Sequence, residues 1–349
     1  MDALLSHLDG RALVVTFPPD VRWLTGFTGS NALVIVTAAG AVHLVTDGRY
    51  TTQAQAEVQD ATVHIADGSL IEHAAAHDLL PDGPVVVQAD RLSVAQLERL
   101  QEQQPAAMWQ PERGVLQALV ARKRADEVEK LRAAQAITDA VFEHLCDWLR
   151  PGQTEQEVAA EIVYQHLRRG AERMAFDPIV ASGPNGALPH ARPTSRRLQA
   201  GDVVVIDMGG VRAGYASDMT RTVAIGAPAP AVRTVYDVVL AAQEAALQAA
   251  VGGIASDALD AAARSVIEDA GHGEAFPHSL GHGIGLQTHE WPRVSHRSSE
   301  PLPTGAVITI EPGIYRPDRF GVRIEDMIHL TPEGHDNLTA SPKDLIVIS

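Results

Sequence analysis

Two strongly apolar runs in this chain end in acids. Val203-Val204-Val205-Ile206 reads as a buried strand, and it closes on Asp207 with Gly209-Gly210 beyond. Eleven residues after Asp207 stands Asp218, within Tyr215-Ala216-Ser217-Asp218-Met219-Thr220-Arg221-Thr222-Val223. The pattern recurs: Val307-Ile308-Thr309-Ile310 ends in Glu311-Pro312-Gly313, and Glu325 follows fourteen residues after Glu311. Two strands joined by a Gly-containing loop place such acids side by side. Alternate side chains of a strand share a face, so Arg323 and Glu325 point one way and Val322 and Ile324 the other. A buried carboxylate costs several kcal/mol unless it is paired or bound to a cation. Four converging carboxylates repel one another, and two divalent cations cancel their charge. That balance points to a two-metal centre. A turn acid that merely ends a strand accounts for any one of the four, but poorly for all four at paired spacing.

Histidines supply the second signal. His278, His282 and His289 fall within 12 residues, interleaved with Gly281, Gly283 and Gly285. The glycines let the backbone approach a ligand closely and argue against a helical zinc motif. His190 lies in a Gly/Pro-rich loop, 17 residues before Asp207, and is a weaker candidate on its own. Four carboxylates with one imidazole suit Mn²⁺ first, with Co²⁺ or Zn²⁺ as alternatives. Paired metals polarise a carbonyl and acidify a shared water, so the expected chemistry is hydrolysis.

The elements that must position these groups form two domains, as 349 residues lead one to expect. Apolar β-rich runs fall at 11–17, 31–37, 41–46 and 85–88, alternating with helical patterns near 51–58, 70–80 and 94–104. That alternation predicts an α/β domain with a mixed sheet over residues 1–120. A Gln-, Pro- and Glu-rich break at 104–114 precedes a long helix predicted over 126–149, with Val128, Leu131, Ile137, Val141, Leu145 and Trp148 on one face and Pro151-Gly152 ending it. The boundary is placed near 110–124. In the second domain, 121–349, a helix–Gly–helix–Gly arrangement occurs twice, with Gly152 to Gly170 and Gly253 to Gly271 both 18 residues apart. Only this spacing supports an internal repeat; coincidence between two helix–turn–helix units fits equally well.

Composition narrows the partners. Lys plus Arg is 28 and Asp plus Glu is 44, a formal charge of −16, which repels phosphate backbones and disfavours nucleic acid. Hydrophobic residues at 45% and charged residues at 21% are a globular mix. The single cysteine, Cys146, reads as a core residue on a helix face. No secretory leader and no membrane span are expected, so the default location is the cytoplasm.

Five ordered motifs now combine. They are Ile179-Val-Ala-Ser-Gly-Pro-Asn185 with Pro189-His190, Asp207-Met-Gly with Ser217-Asp218-Met-Thr-Arg-Thr222, His278-Ser-Leu-Gly-His282-Gly-Ile-Gly285 with His289-Glu290, Glu311-Pro-Gly-Ile-Tyr315, and Gly321-Val-Arg-Ile-Glu325-Asp326. From about residue 125 onward the chain resembles the pita-bread metallopeptidases, in the branch of aminopeptidase P and prolidase. Trp23-Leu-Thr-Gly-Phe-Thr-Gly-Ser30 and Thr46-Asp-Gly-Arg-Tyr50 resemble the N-terminal domain of that branch.

The resemblance implies an α+β catalytic domain with pseudo-twofold helix and strand repeats. It implies two metal ions: Asp207 binds one through both oxygens, Asp218 and Glu325 bridge the pair, and His282 and Glu311 complete the other. A hydroxide attacks the scissile carbonyl with Glu311 as proton shuttle; His190, His278 and His289 line the substrate site, and Arg323 supports the carboxylates. The implied substrates are peptides with proline second. Aminopeptidase P action on longer peptides is the preferred expectation and prolidase action on dipeptides the alternative. A homodimer is expected, with the partner's N-terminal domain bordering the site. Two other classes, a non-catalytic peptide-binding module and a dinuclear phosphoesterase, fit less well, because all five ligand positions are filled and no basic phosphate cradle is present.

Overall fold

The computed structural model describes residues 1–349, and the chain divides into two compact units, Met1–Val120 and Ala121–Ser349. The first unit is built on a six-stranded mixed sheet. Its order is Thr62–Ala66, Val42–Asp47, Ala32–Val36, Ala12–Val15, Gly83–Gln88 and Ala107–Glu112. The three strands from Ala12 to Asp47 pair antiparallel, while Thr62–Ala66, Gly83–Gln88 and Ala107–Glu112 join in parallel. Alternate residues feed two cores: Leu13, Val15, Val34 and Val36 on one face, Val14, Leu33, Ile35 and Val45 on the other. With helices over both faces, the central strands must be apolar throughout, and that made them legible. The two outermost strands were not predicted. Thr62–Ala66 and Ala107–Glu112 are mostly half-buried or exposed, and Ala107–Glu112 lies in the stretch read as a break. Edge strands tolerate polar residues and proline, here Pro111.

The second unit repeats one design. Helices Ala125–Trp148 and Glu155–Arg168 pack on a sheet ordered Val347–Ile348, Met219–Ile225, Val203–Met208, Ile179–Ser182. Helices Pro230–Ala249 and Ser256–Asp269 then pack on a sheet ordered Glu290–Val294, Gly281–Gly283, Val307–Ile310, Asp326–Thr331, Gly334–Asn337. The repeat suspected from glycine spacing is therefore structural. Gly152 and Gly253 turn between the paired helices at φ 90° and 91°, a left-handed conformation that costs glycine little. Thr154 caps the second helix of the first pair: its Oγ1 accepts from the Glu157 amide while the Glu157 carboxylate accepts from the Thr154 amide. Cys146 lies half-buried against the core of this half, as expected, and burial pushes its thiol up to about 11. No helix is long and apolar enough to cross a membrane.

Candidate metal centre

Asp207 is the last residue but one of the strand Val203–Met208 and pairs in register with Thr220 across the antiparallel ladder. Asp218 stands one residue before that partner strand, its amide donating to Met327 Sδ at 3.1 Å. In the second half the register pairs Ile310 with Asp326, so Glu311 and Glu325 face each other just beyond the ladder. All four acids converge, and three are nearly inaccessible: Asp207 is 9% exposed, Asp218 4% and Glu325 1%.

His282 enters from the Gly281–Gly283 strand. Its Nε2 lies 3.6 Å from Asp218 Oδ2 and 3.5 Å from Glu311 Oε1. Its Nδ1 lies 3.0 Å from the Gly283 carbonyl, so the ring proton belongs on Nδ1 and Nε2 presents a lone pair. Ligand atoms of Asp218, His282 and Glu325 all fall within 4.8 Å of one another. Two of the glycines also serve the sheet: a Cβ on Gly281 would collide with the Thr309 carbonyl, and one on Gly283 with Trp291 and Glu290 backbone, so their absence of side chain lets neighbouring strands approach closely.

The electrostatics show what this cluster lacks. Burial raises the affinity of Asp218 and Glu325 for a proton well above the carboxylate range, and the neighbouring carboxylates add to it. Burial likewise raises Asp207, against the opposing Arg323 guanidinium, and pushes Glu311 up to about 7. Burial lowers His282 to about 4, so it is neutral and able to ligate. Asp207 Oδ1 is buried with no hydrogen-bond partner, although its Oδ2 accepts from Arg323 Nη2 at 2.7 Å. An orphaned carboxylate oxygen amid acids that cannot all ionise alone is a site shaped for divalent cations.

The supporting shell spans both halves. Arg323 also donates from Nε to Thr220 Oγ1 at 3.0 Å and from Nη1 to the Tyr315 hydroxyl at 2.8 Å. Thr220 Oγ1 in turn donates to Glu325 Oε2 at 2.7 Å. Arg323 and Glu325 thus meet the same hydroxyl while Val322 and Ile324 enter the core, as strand alternation predicted. Tyr315 hydrogen-bonds His278 Nε2 at 2.9 Å, and His278 Nδ1 donates to the Ser279 carbonyl at 2.8 Å. Both nitrogens of His278 are therefore engaged within the protein. The His289 ring lies 4.2 Å, centroid to centroid, from that of His282. His190 is exposed on its loop, and Pro189 beside it gives its carbonyl to Arg323 Nη1 at 3.1 Å.

Sequence reasoning missed four supports, the Thr220 hydroxyl among them. Tyr315 was quoted only as part of a motif. Glu155, fully buried, ties the chain on both sides of His190 by accepting from Ser182 N, Asn185 Nδ2 and Thr194 N at 2.7, 3.0 and 2.9 Å. Asp260 serves the His278 segment, accepting from Leu280 N at 3.0 Å and from Arg264 Nε at 2.6 Å. Glu155 opens its helix like an ordinary first-turn acid and Asp260 lies inside its own, so only long-range contacts reveal these two.

Residues 129–332 match metallopeptidase family M24, and residues 2–125 match the creatinase/prolidase N-terminal domain. The chain belongs to metallopeptidase family M24. As a member it is a metal-dependent hydrolase that uses divalent metal, and it falls in the aminopeptidase P and prolidase branch expected from its motifs. Its fold is the pita-bread arrangement of that branch. A Xaa-Pro dipeptidase of Pyrococcus furiosus is 41% identical over 255 residues, 73% of each chain. The solved Xaa-Pro dipeptidase from Bacillus anthracis is 35% identical with a TM-score of 0.95, covering 99% of this chain and 98% of that one. An X-Pro aminopeptidase from Thermotoga maritima is 36% identical with a TM-score of 0.92, covering 97% of both.

Proposed function

We propose that this M24 chain hydrolyses the bond between an N-terminal residue and a following proline, with Xaa-Pro dipeptides as its first substrate class. The observation that carries this is the buried convergence of Asp207, Asp218, Glu311 and Glu325 on His282 in a chain similar to Xaa-Pro dipeptidases. The domains are assigned as residues 1–120, creatinase/prolidase-like, and 121–349, catalytic. Two divalent ions, Mn²⁺ before Zn²⁺ or Co²⁺, are held by those five side chains. When bound, they supply Lewis acidity toward a carbonyl and acidify water.

The chain's own residues do the rest. Glu311, which burial raises to about 7 in the metal-free chain and which bound cations would ionise, is assigned as the proton shuttle. Arg323 pins one oxygen of Asp207 and leaves the other, unpartnered, for a ligand. Arg323, Tyr315 and His278 form a donor chain ending on the Ser279 carbonyl, which fixes the tautomer and orientation of His278. His289, beside His282, and His190 are assigned to the substrate, where imidazole donors stabilise a developing oxyanion. Burial lowers His289, so it reaches substrate neutral.

Cleavage of longer peptides is the second reading, favoured by the likeness to the Thermotoga maritima X-Pro aminopeptidase and by the Thr46–Tyr50 motif. We also assign a cytoplasmic homodimer, testable by solution mass. The deciding experiment offers Ala-Pro and Ala-Pro-Ala-Ala to Mn²⁺-loaded protein, with and without chelator. Chelator-sensitive cleavage mainly of the dipeptide supports the first reading, and mainly of the tetrapeptide the second. Cleavage of neither, or cleavage indifferent to chelator, refutes both.

A further inference from the structure

Four histidines of the N-terminal unit gather on one face of its sheet and take no part in the catalytic reading. Val42 and Leu44 enter one core and Val45 the other, so His43 shares the side of Val45. By the same alternation His64 shares the side of Ala66. That face is covered by helix Leu70–Ala76, whose Ala74 lies in the same core, and the helix carries His73 with His77 just beyond its end.

The spacing of the two strand histidines matches that of two imidazoles on one ion. His43 Nδ1 and His64 Nε2 lie 3.1 Å apart, on adjacent parallel strands. Imidazole nitrogens at about 2.0–2.1 Å from one Zn²⁺ sit about 3.0–3.4 Å from each other. Neither ring makes another hydrogen bond to the protein. His73 and His77, four residues apart at the helix end, stack at 4.0 Å between centroids. His77 Nδ1 donates to the His73 backbone carbonyl at 2.9 Å, while neither nitrogen of the His73 ring has a hydrogen-bond partner.

We propose that His43 and His64, completed by His73, bind one borderline divalent transition-metal ion, Zn²⁺ or Ni²⁺, at a site sharing no residue with the acid cluster. Burial, and then the neighbouring histidines, lower the proton affinity of His64, which keeps its ring neutral as ligation requires. The proton now shared between the two rings moves to the outer nitrogen of its own ring, so the tautomer changes and no proton is lost. An all-imidazole donor set selects borderline ions over the hard cations that suit the acid cluster. The ion would staple the outermost strand, Thr62–Ala66, which pairs with only one neighbour, to the strand beside it and the helix above.

The test counts Zn²⁺ bound to chelator-stripped full-length protein, by competition with a chromophoric chelator at neutral pH. His64→Gln, His43→Asn and His73→Gln are each compared with the unsubstituted chain and with Asp218→Asn. The expected result is one equivalent lost, or bound at least about tenfold more weakly, in each histidine variant. Ala-Pro hydrolysis is unchanged in those variants, and Asp218→Asn retains the histidine-dependent equivalent. If His64→Gln does not fold, the other two variants carry the same test. Equal Zn²⁺ equivalents and affinity in the folded histidine variants and the unsubstituted protein overturn the proposal.

Discussion

The two halves of the catalytic unit build the same device with different reach. In the first, Asp207 faces Thr220 within the ladder, and the second acid, Asp218, is offset to a position before the partner strand. In the second, Glu311 and Glu325 face each other beyond the ladder's end, one peptide past the Ile310–Asp326 pair. Shorter aspartates serve where the acid sits in or beside paired backbone; longer glutamates serve where the strands have begun to part. Each half also holds the other's acid. Arg323 of the second half grips Asp207, and Thr220 of the first grips Glu325. Arg221 extends the exchange, donating to the Glu325 carbonyl at 2.6 Å and to Asp326 Oδ1 at 2.8 Å. The duplication therefore yields a centre that neither half can complete.

The largest expected effect comes from removing a shared acid. Asp218→Asn should lower kcat/KM on Ala-Pro by about three orders of magnitude, about 4 kcal/mol of transition-state stabilisation. Glu325→Gln should match it if the halves contribute equally, and a gap of more than about tenfold between the two would break the symmetry. Next come the cross-grips. Arg323→Met leaves Asp207 buried beside no cation and should cost metal-free protein about 3–5 kcal/mol in urea unfolding, with part of the loss restored by metal. Thr220→Val removes one hydroxyl that serves both Arg323 and Glu325, and should weaken metal binding about 10–100-fold with little change in fold.

Smaller effects should separate the histidine loops. Glu155→Gln removes acceptors from the chain on both sides of His190, and Asp260→Asn does so for the His278 segment; each should cost about 1–3 kcal/mol of stability. KM should rise more for Glu155→Gln, because His190 is exposed and is the histidine proposed to meet substrate, while His278 is locked by Tyr315. Equal KM changes would remove that distinction.

The acids also set a pH signature. Glu311 is raised to about 7 in the folded chain, so its contribution is full below the unfolded carboxylate range and is lost as pH rises through 7. Burial and the neighbouring carboxylates shift Asp218 and Glu325 the same way. His278 and His282, lowered to about 4, act oppositely between pH 4 and their unfolded value of 6.5. The Tm of metal-free protein should therefore fall as pH rises from 6.5 through about 7, and metal should abolish the fall. A metal-free Tm that rises over that window would contradict the cluster's electrostatics.

Much of this was legible before the fold because acids at the ends of apolar strands are out of place. Asp207 and Glu311 betray themselves by what precedes them, and Asp218 and Glu325 by their distance from those two. Strand alternation placed Arg323 on the face of Glu325, and the resemblance implied its support of the carboxylates. Thr220, Tyr315, Glu155 and Asp260 were not found, because their residue types are unremarkable where they stand and their partners lie far away in sequence. The N-terminal sheet divided similarly: its doubly covered strands read plainly, while Thr62–Ala66 and Ala107–Glu112 lacked the apolar run that burial on both faces demands.

The central claim is that four carboxylates and His282 form a two-ion centre. A calorimetric titration of Mn²⁺ into chelator-stripped protein at pH 7, in two buffers of different protonation enthalpy, tests it directly. The account predicts two ions per chain, protons released as the buried acids ionise, and loss of binding in Asp218→Asn. One ion or none, or binding without proton release and untouched by Asp218→Asn, would contradict it.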